Sequence, residues 1–340
     1  MSNILVTGGA GYIGSHTCIE LLNAGYQVIV LDNLSNSSKE SIHRVETLTG
    51  RKVDFIQGDI RDTACLTRIF SQFVIDAVIH FAGLKAVGES QQKPLNYFDH
   101  NIAGSIQLVQ AMQRADVFSL VFSSSATVYG ESNPSPYQED MPLSMPNNNY
   151  GYTKLIVEQL LEKTSVTDER WSIALLRYFN PVGAHQSGEI GEDPLGIPNN
   201  LMPFVTQVAI GKRNELAVFG QDYPTEDGTC ERDFIHVVDL AKAHVLAVQN
   251  RLSETGCRAW NIGMGQPVSV LNLIHTFERV NGVKVPFKFV QRRAGDLASF
   301  YADSTRAKKE LNWQAELSLE DMVRDSWNWQ KKNPQGYRND

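Results

Sequence analysis

Residues 4–14 read Ile-Leu-Val-Thr-Gly-Gly-Ala-Gly-Tyr-Ile-Gly, an apolar run that leads into a cluster of glycines. Positions 9–14 satisfy Gly-x-Gly-x-x-Gly, and Gly8, Gly11 and Gly14 also give a Gly-x-x-Gly-x-x-Gly spacing. Glycine permits a tight turn and a close approach of the backbone to a pyrophosphate at the N-terminus of a helix, where the helix dipole favours anions. Because the cluster follows a strand and opens a helix, it predicts a dinucleotide-binding fold.

An acidic residue ends the second predicted strand. Asp32 stands eighteen residues after Gly14, directly after the apolar run Gln27–Leu31. A carboxylate there accepts hydrogen bonds from both ribose hydroxyls and repels a 2′-phosphate. Alone, Asp32 is equally compatible with a turn or helix cap before Asn33. Together with the glycines, it predicts dinucleotide binding and favours NAD over NADP.

Short apolar runs alternate with longer helical patterns through the first half of the chain. Continuous Val/Ile/Leu runs separated by helices indicate a parallel sheet that is covered on both faces. Right-handed crossovers then give a doubly wound sheet, so the predicted fold class is α/β with a Rossmann sheet. The predicted strands are Ile4–Thr7, Gln27–Leu31, Val53–Gln57, Ala77–Phe81, Leu120–Ser123 and Ser172–Arg177, with amphipathic segments such as Ile13–Asn23 and Asp62–Phe73 between them.

Glycine and proline become frequent after Asn180. Residues 181–203 contain four of each, which marks loops and a domain transition. We therefore predict a cofactor domain over residues 1–180 and mainly a smaller, mixed α/β substrate lobe over residues 181–340, from which some segments return to the first domain. The predicted elements of the lobe are helices Met202–Gly211, Val238–Arg251, Ser269–Val280 and Leu319–Lys331 and strands Ala217–Phe219 and Trp260–Ile262.

The composition is that of an ordinary globular protein. The 340 residues are 42% hydrophobic and 20% charged, and the formal net charge of −7 disfavours a nucleic acid or an anionic membrane as partner. The four cysteines lack paired spacing, which indicates a reducing compartment and no metal site. The chain enters an apolar strand directly after Met1-Ser2-Asn3 and has no long uncharged run, so we expect a cytoplasmic protein without a signal peptide or membrane span.

A tyrosine and a lysine stand four residues apart in the middle of the chain. Tyr150 and Lys154 share a helix face at this spacing, and Ser123-Ser124-Ser125 ends an apolar run upstream. We expect the fixed cation to favour the phenolate and to lower the phenol pKa from its ordinary value near ~10, which makes a general acid/base from two ordinary residues. On spacing alone, such a pair is more often a solvated surface pair. The cofactor motif upstream favours the catalytic interpretation.

Five further motifs run through both halves of the chain. With Ser125, Tyr150 and Lys154 on a nucleotide fold, they make the chain resemble the extended short-chain dehydrogenase/reductase family, and within it the UDP-hexose 4-epimerases, essentially from end to end. The motifs are FAGLKAVGES (residues 81–90), SSSATVYG (123–130), RYFNP (177–181), NNLMP (199–203) and RRAGD (292–296).

The resemblance implies interconversion of UDP-galactose and UDP-glucose, a step of galactose metabolism. Tyr150 would take the proton of the sugar 4-hydroxyl while C4 delivers a hydride to a tightly bound NAD that is not consumed. The 4-keto sugar would then turn over and take the hydride back on its other face. Lys154 would also hold the nicotinamide-ribose hydroxyls, and Ser125 would hydrogen-bond the reacting oxygen.

The resemblance also assigns the remaining site residues, with no metal among them. Arg232 and Arg293 would anchor the diphosphate, to which arginine makes bidentate contacts; without the resemblance, an arginine between two acids is more often a local ion pair. The implied cofactor-binding residues are Gly8, Gly11, Tyr12, Ile13, Gly14, Asp32, Asn33, Leu34, Ser35, Asn36, Ser37, Asp59, Ile60, Phe81, Ala82, Gly83, Leu84, Lys85, Asn101, Ser125, Tyr150, Lys154 and Phe179. The implied substrate-binding residues are Ser125, Tyr150, Asn180, Asn200, Leu201, Ala217, Val218, Phe219, Arg232, Arg293, Asp296 and Phe300.

Two positions depart from the family pattern. Phe300 stands where the family often has a Tyr or a small Cys that gates the hexose pocket. Phenylalanine keeps the bulk of the side chain, so we predict poor turnover of N-acetylated sugars. Because Tyr301 is the next residue, either Phe300 or Tyr301 matches the gating position of the family. His100 stands where some relatives have Asn, so the cofactor contact falls to either His100 or Asn101.

Helices around Pro94–Arg114 and Tyr150–Lys163 are predicted to pair two copies into a homodimer, as in dimeric family members. Their apolar stripes are equally compatible with packing on the sheet.

Three other functions compete with epimerisation. Sugar-nucleotide 4,6-dehydratases place an Asp-Glu pair where this chain has Ala126 and Thr127, and neither of these can act as acid or base at neutral pH. A net oxidoreductase is distinguished by a stoichiometric change at the nicotinamide absorbance band. A non-enzymatic NAD-sensing protein has no reason to keep Ser125, Tyr150 and Lys154 together with two anion-binding arginines.

Overall fold

The computed structural model describes residues 2–293 and 295–337. The strands are β1 Asn3–Thr7, β2 Gln27–Asp32, β3 Asp54–Gln57, β4 Ala77–His80, β5 Ser119–Ser123, β6 Ser172–Tyr178, β7 Asn180–Val182, β8 Leu216–Phe219, β9 Glu231–Arg232, β10 Phe234–His236, β11 Gly256–Ile262, β12 Val268–Ser269, β13 Phe287–Val290 and β14 Ser299–Phe300. The helices are α1 Tyr12–Asn23, α2 Lys39–Thr49, α3 Thr63–Gln72, α4 Val87–Gln92, α5 Pro94–Tyr97, α6 Gly104–Arg114, α7 Asn149–Ser165, α8 Leu201–Ala209, α9 Val237–Arg251, α10 Val270–Asn281, α11 Thr305–Glu310 and α12 Leu319–Lys332, with a π-helical turn over Phe98–Ala103 and a 3₁₀ turn over Ala126–Tyr129.

A large parallel sheet organises the first half of the fold. Within the described residues it has seven strands in the order β11-β6-β5-β4-β1-β2-β3. The six strands predicted in the first half match β1 to β6 to within one residue at each end. The strand order reverses between β1 and β4, and in open α/β sheets ligands bind in the crevice at such a switch point. The prediction of a doubly wound parallel sheet is confirmed.

Both faces of this sheet are covered, which explains the continuous apolar runs in its strands. Neighbouring residues of β1 point to opposite faces: Ile4 and Val6 belong to one core cluster and Leu5 to the other. The first cluster includes side chains of α1 and α9, and the second includes side chains of α3, α6 and α7. A strand that is buried on both faces has no polar side to alternate with, so its pattern is apolar throughout.

The seventh strand comes from the second half of the chain. Gly256–Ile262 pairs in parallel with β6 along its whole length, from Gly256 opposite Ser172 to Ile262 opposite Tyr178. The sequence predicted a strand only over Trp260–Ile262, because the first part of β11 is partly exposed at the sheet edge and lacks an apolar run. Helix α9 also returns and packs against α1.

A smaller lobe of mixed structure holds the other elements. Its sheets pair β10 with β7 in parallel, β9 with β12 (antiparallel) and β14 (parallel), and β13 with β8 in parallel. Its core contains side chains of α8, α10 and α12, among them Val205, Phe277 and Met322. The prediction of a smaller mixed α/β lobe is confirmed. Among the described residues, no helix is both long and apolar enough to cross a membrane.

Trp260→Ala tests whether β11 completes the large sheet. The Trp260 side chain is 1% exposed in the core, and its indole N–H donates to Glu310 at 2.9 Å. We expect the free energy of unfolding in urea to fall by about 3–5 kcal/mol, because truncation of a buried aromatic leaves a cavity. Val74→Ala, at a side chain that is 80% exposed, is the control and is expected to change it by less than about 0.5 kcal/mol. Equal stability of the two variants would contradict the placement of β11.

Candidate active site

A cavity of about 790 Å³ opens at the carboxyl ends of the large sheet. Its walls come from the loops after β1 to β4, from α7 and from the segment 191–200. Leu34, Asn101, Ser125 and Phe179 were predicted to contact the cofactor but are not part of the described lining. The predicted cofactor residues that do line it are Gly8, Gly11, Tyr12, Ile13, Gly14, Asp32, Asn33, Ser35, Asn36, Ser37, Asp59, Ile60, Phe81, Ala82, Gly83, Leu84, Lys85, Tyr150 and Lys154.

The glycine turn brings the start of α1 to the cavity wall. Gly11 is the N-cap of α1, and no described side chain caps it. Gly8 has a φ of +73°, and a Cβ added to Gly14 would lie 2.3 Å from the Gly8 carbonyl oxygen. No larger residue fits at position 14 without moving the backbone. The first N–H groups of a helix have no partner within the helix, so this turn is suited to a phosphate.

The Asp32 carboxylate is fixed between the glycine turn and the loop after β2. One oxygen accepts from the Ala10 backbone N–H at 3.0 Å, and the other accepts from the Leu34 N–H at 2.9 Å and the Ser37 hydroxyl at 2.8 Å. An ionised carboxylate offers about four acceptor sites, so these contacts leave capacity for a ligand hydroxyl. Asp32 therefore lies on the cavity wall, oriented by its neighbours.

Helix α7 places Tyr150 and Lys154 at the inner end of the cavity. Tyr150 is 9% exposed and Lys154 is 7% exposed. The Lys154 ammonium donates to the Ser123 carbonyl at 2.7 Å, which ties α7 to the end of β5. Ser125 lies two residues beyond, close enough to the Tyr150 phenol to act on its pKa, and its hydroxyl accepts from the Thr127 N–H at 3.2 Å and the Thr127 hydroxyl at 3.0 Å. The structure thus brings together the three residues that were predicted to be catalytic.

The expected effect of Lys154 on Tyr150 is corrected by the structure. Burial raises the pKa of Tyr150 well above its ordinary value, and the hydrogen bond from Ser125 only partly opposes this rise. Lys154 does not offset the rise because its ammonium is turned towards Ser123 and lies 6.0 Å from the centre of the Tyr150 ring. Burial also lowers the pKa of Lys154 to about 8, against the opposing effect of Glu158. Burial therefore favours the protonated form of Tyr150.

A π-helical turn settles how His100 and Asn101 are oriented. His100 lines the cavity. Asn101 is buried, accepts from the Leu84 N–H at 2.7 Å and donates to the Leu84 carbonyl at 3.0 Å. Asn101 therefore supports the cavity wall at Leu84 from behind. Such π-turns are frequent at functional sites.

An acidic residue that the sequence analysis missed bridges the two halves of the cavity. Glu192 accepts from Lys85 at 2.9 Å and from Asn200 at 2.8 Å through the same carboxylate oxygen. Lys85 follows β4, whereas Glu192 and Asn200 belong to the Gly/Pro-rich segment after β7. Tyr178 and Tyr337 also line the cavity and were missed. None of these residues has a local sequence signal, because their roles arise only from contacts across the fold.

Most of the predicted substrate residues gather outside the described lining of this cavity. The Arg232 guanidinium lies 3.3 Å from Asp296 and donates to the Leu297 carbonyl at 2.9 Å. The Arg293 guanidinium stacks over the Phe219 ring, 3.9 Å from its centre. The two arginines thus belong to different small sheets of the lobe: Arg232 lies on β9, and Arg293 stacks beside the strand β8 that also contains Ala217 and Val218.

An aromatic cluster connects Arg232 to the neighbourhood of Ser125. Phe300 stands opposite Arg232 in the pairing of β14 with β9. Its ring lies 4.7 Å from the Tyr137 ring centre and 5.0 Å from that of Phe179. The same cluster contains Ala126, next to Ser125. Asn180 begins β7 directly after Phe179, and Leu201 begins α8 directly after Asn200.

Comparisons with known proteins agree with this site. The NAD dependent epimerase/dehydratase family model matches residues 4–263. The UDP-glucose 4-epimerase of Bacillus subtilis (strain 168) is 56% identical over 335 residues, which cover 98% of both chains. The crystal structure of the UDP-glucose-4-epimerase of Stenotrophomonas maltophila with bound NAD and formylated UDP-arabinopyranose superposes with a TM-score of 0.96 at 52% identity, over 98% of this chain and 99% of that one. The Bifidobacterium longum enzyme, in complex with NAD+ and UDP, gives 0.95 at 50% identity, over 98% and 100%. The chain therefore belongs to the NAD dependent epimerase/dehydratase family and, within it, to the UDP-glucose 4-epimerases.

Proposed function

We propose that the protein interconverts UDP-galactose and UDP-glucose by transient, NAD-dependent oxidation at C4 of the hexose. The observation that carries this proposal is the burial of Tyr150 and Lys154 on one face of α7, where both line the cavity and Lys154 is bonded to the end of the strand that leads to Ser125. The similarity to UDP-glucose 4-epimerases over 98% of the chain supports the substrate pair. Ala126 and Thr127 leave no acid or base next to Ser125 for the elimination of water.

The residues of the cavity fit NAD. The crowded turn at Gly8 and Gly14 leaves backbone N–H groups for a pyrophosphate, and the oriented Asp32 carboxylate suits a ribose diol. The long row of predicted cofactor residues along the wall extends from Asp32 to Lys154. When bound, NAD supplies a hydride acceptor that returns the same hydride, so it is not consumed.

Tyr150 acts in this proposal as the general base and then as the general acid at the 4-oxygen of the sugar. Ser125, next to the phenol, would hydrogen-bond the reacting oxygen. Lys154, whose ammonium the Ser123 carbonyl holds in place, is the residue that would hold the nicotinamide-ribose hydroxyls. Burial favours the protonated phenol, so the base form requires a change in the charge around Tyr150.

Arg232 and Arg293 anchor the diphosphate, so that the hexose turns while the nucleotide stays bound. Arginine binds phosphate through two parallel N–H bonds. The ion pair of Arg232 with Asp296 and the stacking of Arg293 on Phe219 orient both guanidinium groups before the ligand arrives. Arg232 stands opposite Phe300 in the pairing of β9 with β14, which supports a hexose site between this arginine and Tyr150.

A homodimer in the cytoplasm is the proposed assembly. Leu95, in the first of the two helices predicted to pair, is 78% exposed, which supports a partner on that face. Cys18, Cys65, Cys230 and Cys257 are all free thiols, which supports a reducing compartment. Sedimentation is expected to give twice the chain mass of 38.0 kDa, and a single species of chain mass would contradict the dimer.

The central experiment is to incubate the purified protein with UDP-galactose without added NAD. We expect UDP-glucose to form with no net change at the nicotinamide absorbance band, since the hydride is returned. Tyr150→Phe is expected to lower kcat about 100- to 10,000-fold, the range for the loss of a general acid/base. Tyr152→Phe is the matched control, because Tyr152 lies on the same helix as Tyr150, its ring packs against Phe98 of the π-helical turn, and it is not part of the described cavity lining.

Two results would contradict this proposal. Full activity of Tyr150→Phe would remove the phenol from the reaction. A stoichiometric absorbance change with wild-type protein would identify a net oxidoreductase.

Phe300 is expected to restrict the hexose pocket. Because its ring fills the space beside Tyr137 and Phe179, the wild-type protein should turn over UDP-N-acetylgalactosamine poorly. Phe300→Ala should raise kcat/KM for that substrate by about 10-fold relative to UDP-galactose, in the range of pocket discrimination by size. Tyr301→Ala is the control for the register. If Tyr301→Ala widens the specificity and Phe300→Ala does not, the assignment moves by one residue.

A further inference from the structure

A buried ion pair lies directly behind the catalytic residues and has no part in the proposed chemistry. Glu158 is fully buried and Arg177 is 2% exposed. The Arg177 Nη2 atom lies 2.7 Å from one Glu158 oxygen, and its Nε atom lies 3.1 Å from both. Burial of two charges is costly unless every remaining lone pair finds a donor. The other partners of this pair are therefore informative.

Ser124 supplies the missing donor. Its hydroxyl donates to Glu158 at 2.5 Å, and the residue is fully buried between Ser123 and Ser125. The Ser123 carbonyl accepts from Lys154, and the Ser125 hydroxyl lies close enough to Tyr150 to act on its pKa. Three consecutive serines thus face one side of α7, since residues 150, 154 and 158 are four apart.

Arg177 fixes the far side of this arrangement. It belongs to β6, which pairs with β5 through Leu176 opposite Ser123. Besides Glu158, its guanidinium donates to the Tyr129 hydroxyl at 3.2 Å and the Glu139 carbonyl at 3.3 Å. Glu158 is therefore held from the strand side, and it presents one carboxylate oxygen to Ser124.

We propose that Ser124 and Glu158 are positioning residues, whose hydrogen bond sets the Ser123–Ser125 segment against α7 so that the Ser125 hydroxyl meets the Tyr150 phenol. Neither Ser124 nor Glu158 is among the residues described as lining the cavity, so both act through their neighbours. The inference rests on the proposed function, in which Ser125 and Tyr150 meet the reacting oxygen. Displacements of about 1 Å at a reacting group cost about 100-fold in rate.

Ser124→Ala tests the inference and leaves the Glu158–Arg177 pair intact. We expect kcat for UDP-galactose to fall about 10- to 100-fold, with KM and the NAD retained per chain after dialysis close to wild type. The melting temperature should fall by only a few degrees, because the buried Glu158 carboxylate loses one donor and keeps Arg177. Ser124→Thr keeps the hydroxyl and is expected to recover kcat to within about 3-fold of wild type. A merely structural role would instead lower NAD retention together with kcat.

Ser119→Ala is the matched control. Ser119 is a buried serine at the other end of the same strand, and its hydroxyl has no hydrogen-bond partner among the described residues. Its removal is expected to leave kcat within about 2-fold of wild type. The inference is overturned if Ser124→Ala behaves like Ser119→Ala, if its kcat loss is matched by lost NAD, or if Ser124→Thr recovers nothing. An inactive wild type would contradict the proposed function, whereas an active wild type with an unaffected Ser124→Ala contradicts only this inference.

Discussion

The hydrogen bond from the Lys154 ammonium to the Ser123 carbonyl is the interaction on which the site depends. An ammonium that is 7% exposed must be satisfied, and the end of β5 provides its acceptor at 2.7 Å. This bond fixes the rotation of α7 about its axis. The same rotation places Tyr150 one turn earlier at the cavity and Glu158 one turn later at the buried arginine. Tyr150, Lys154 and Glu158 therefore lie along one face of α7.

Burial gives this site its electrostatic character. It raises the pKa of the Tyr150 phenol and lowers that of the Lys154 ammonium, so both groups are pushed towards their neutral forms. In the proposed mechanism, the phenol therefore becomes a base only when the charge around it changes.

The sequence predicted the parts of the fold that depend on local patterns. The strands β1, β2, β4, β5 and β6 were predicted because they are buried on both faces, and the half-exposed edge strand β3 was predicted from the short apolar run that includes Phe55 and Ile56. The glycine turn was predicted because close packing at Gly14 admits no side chain. Only the last part of β11 was predicted. Its first part, which includes the exposed Arg258, lacks an apolar pattern. Glu192 had no signal at all, because its contact with Lys85 joins segments that are distant in sequence. The raised pKa of Tyr150 was missed because spacing reports proximity and does not report burial.

The most direct test of the account follows the hydrogen at C4 of the hexose. UDP-galactose with deuterium at C4 would be mixed with a second UDP-galactose that has hydrogen at C4 and a different isotopic label elsewhere in the molecule. The mixture would be converted without added NAD, and the products would be analysed by mass spectrometry. The account predicts that all deuterium remains on the molecule that carried it, because the hydride leaves and returns within one binding event while Tyr150 moves only the hydroxyl proton. Loss of deuterium to water, or its transfer to the other substrate population, would contradict epimerisation by transient oxidation at C4.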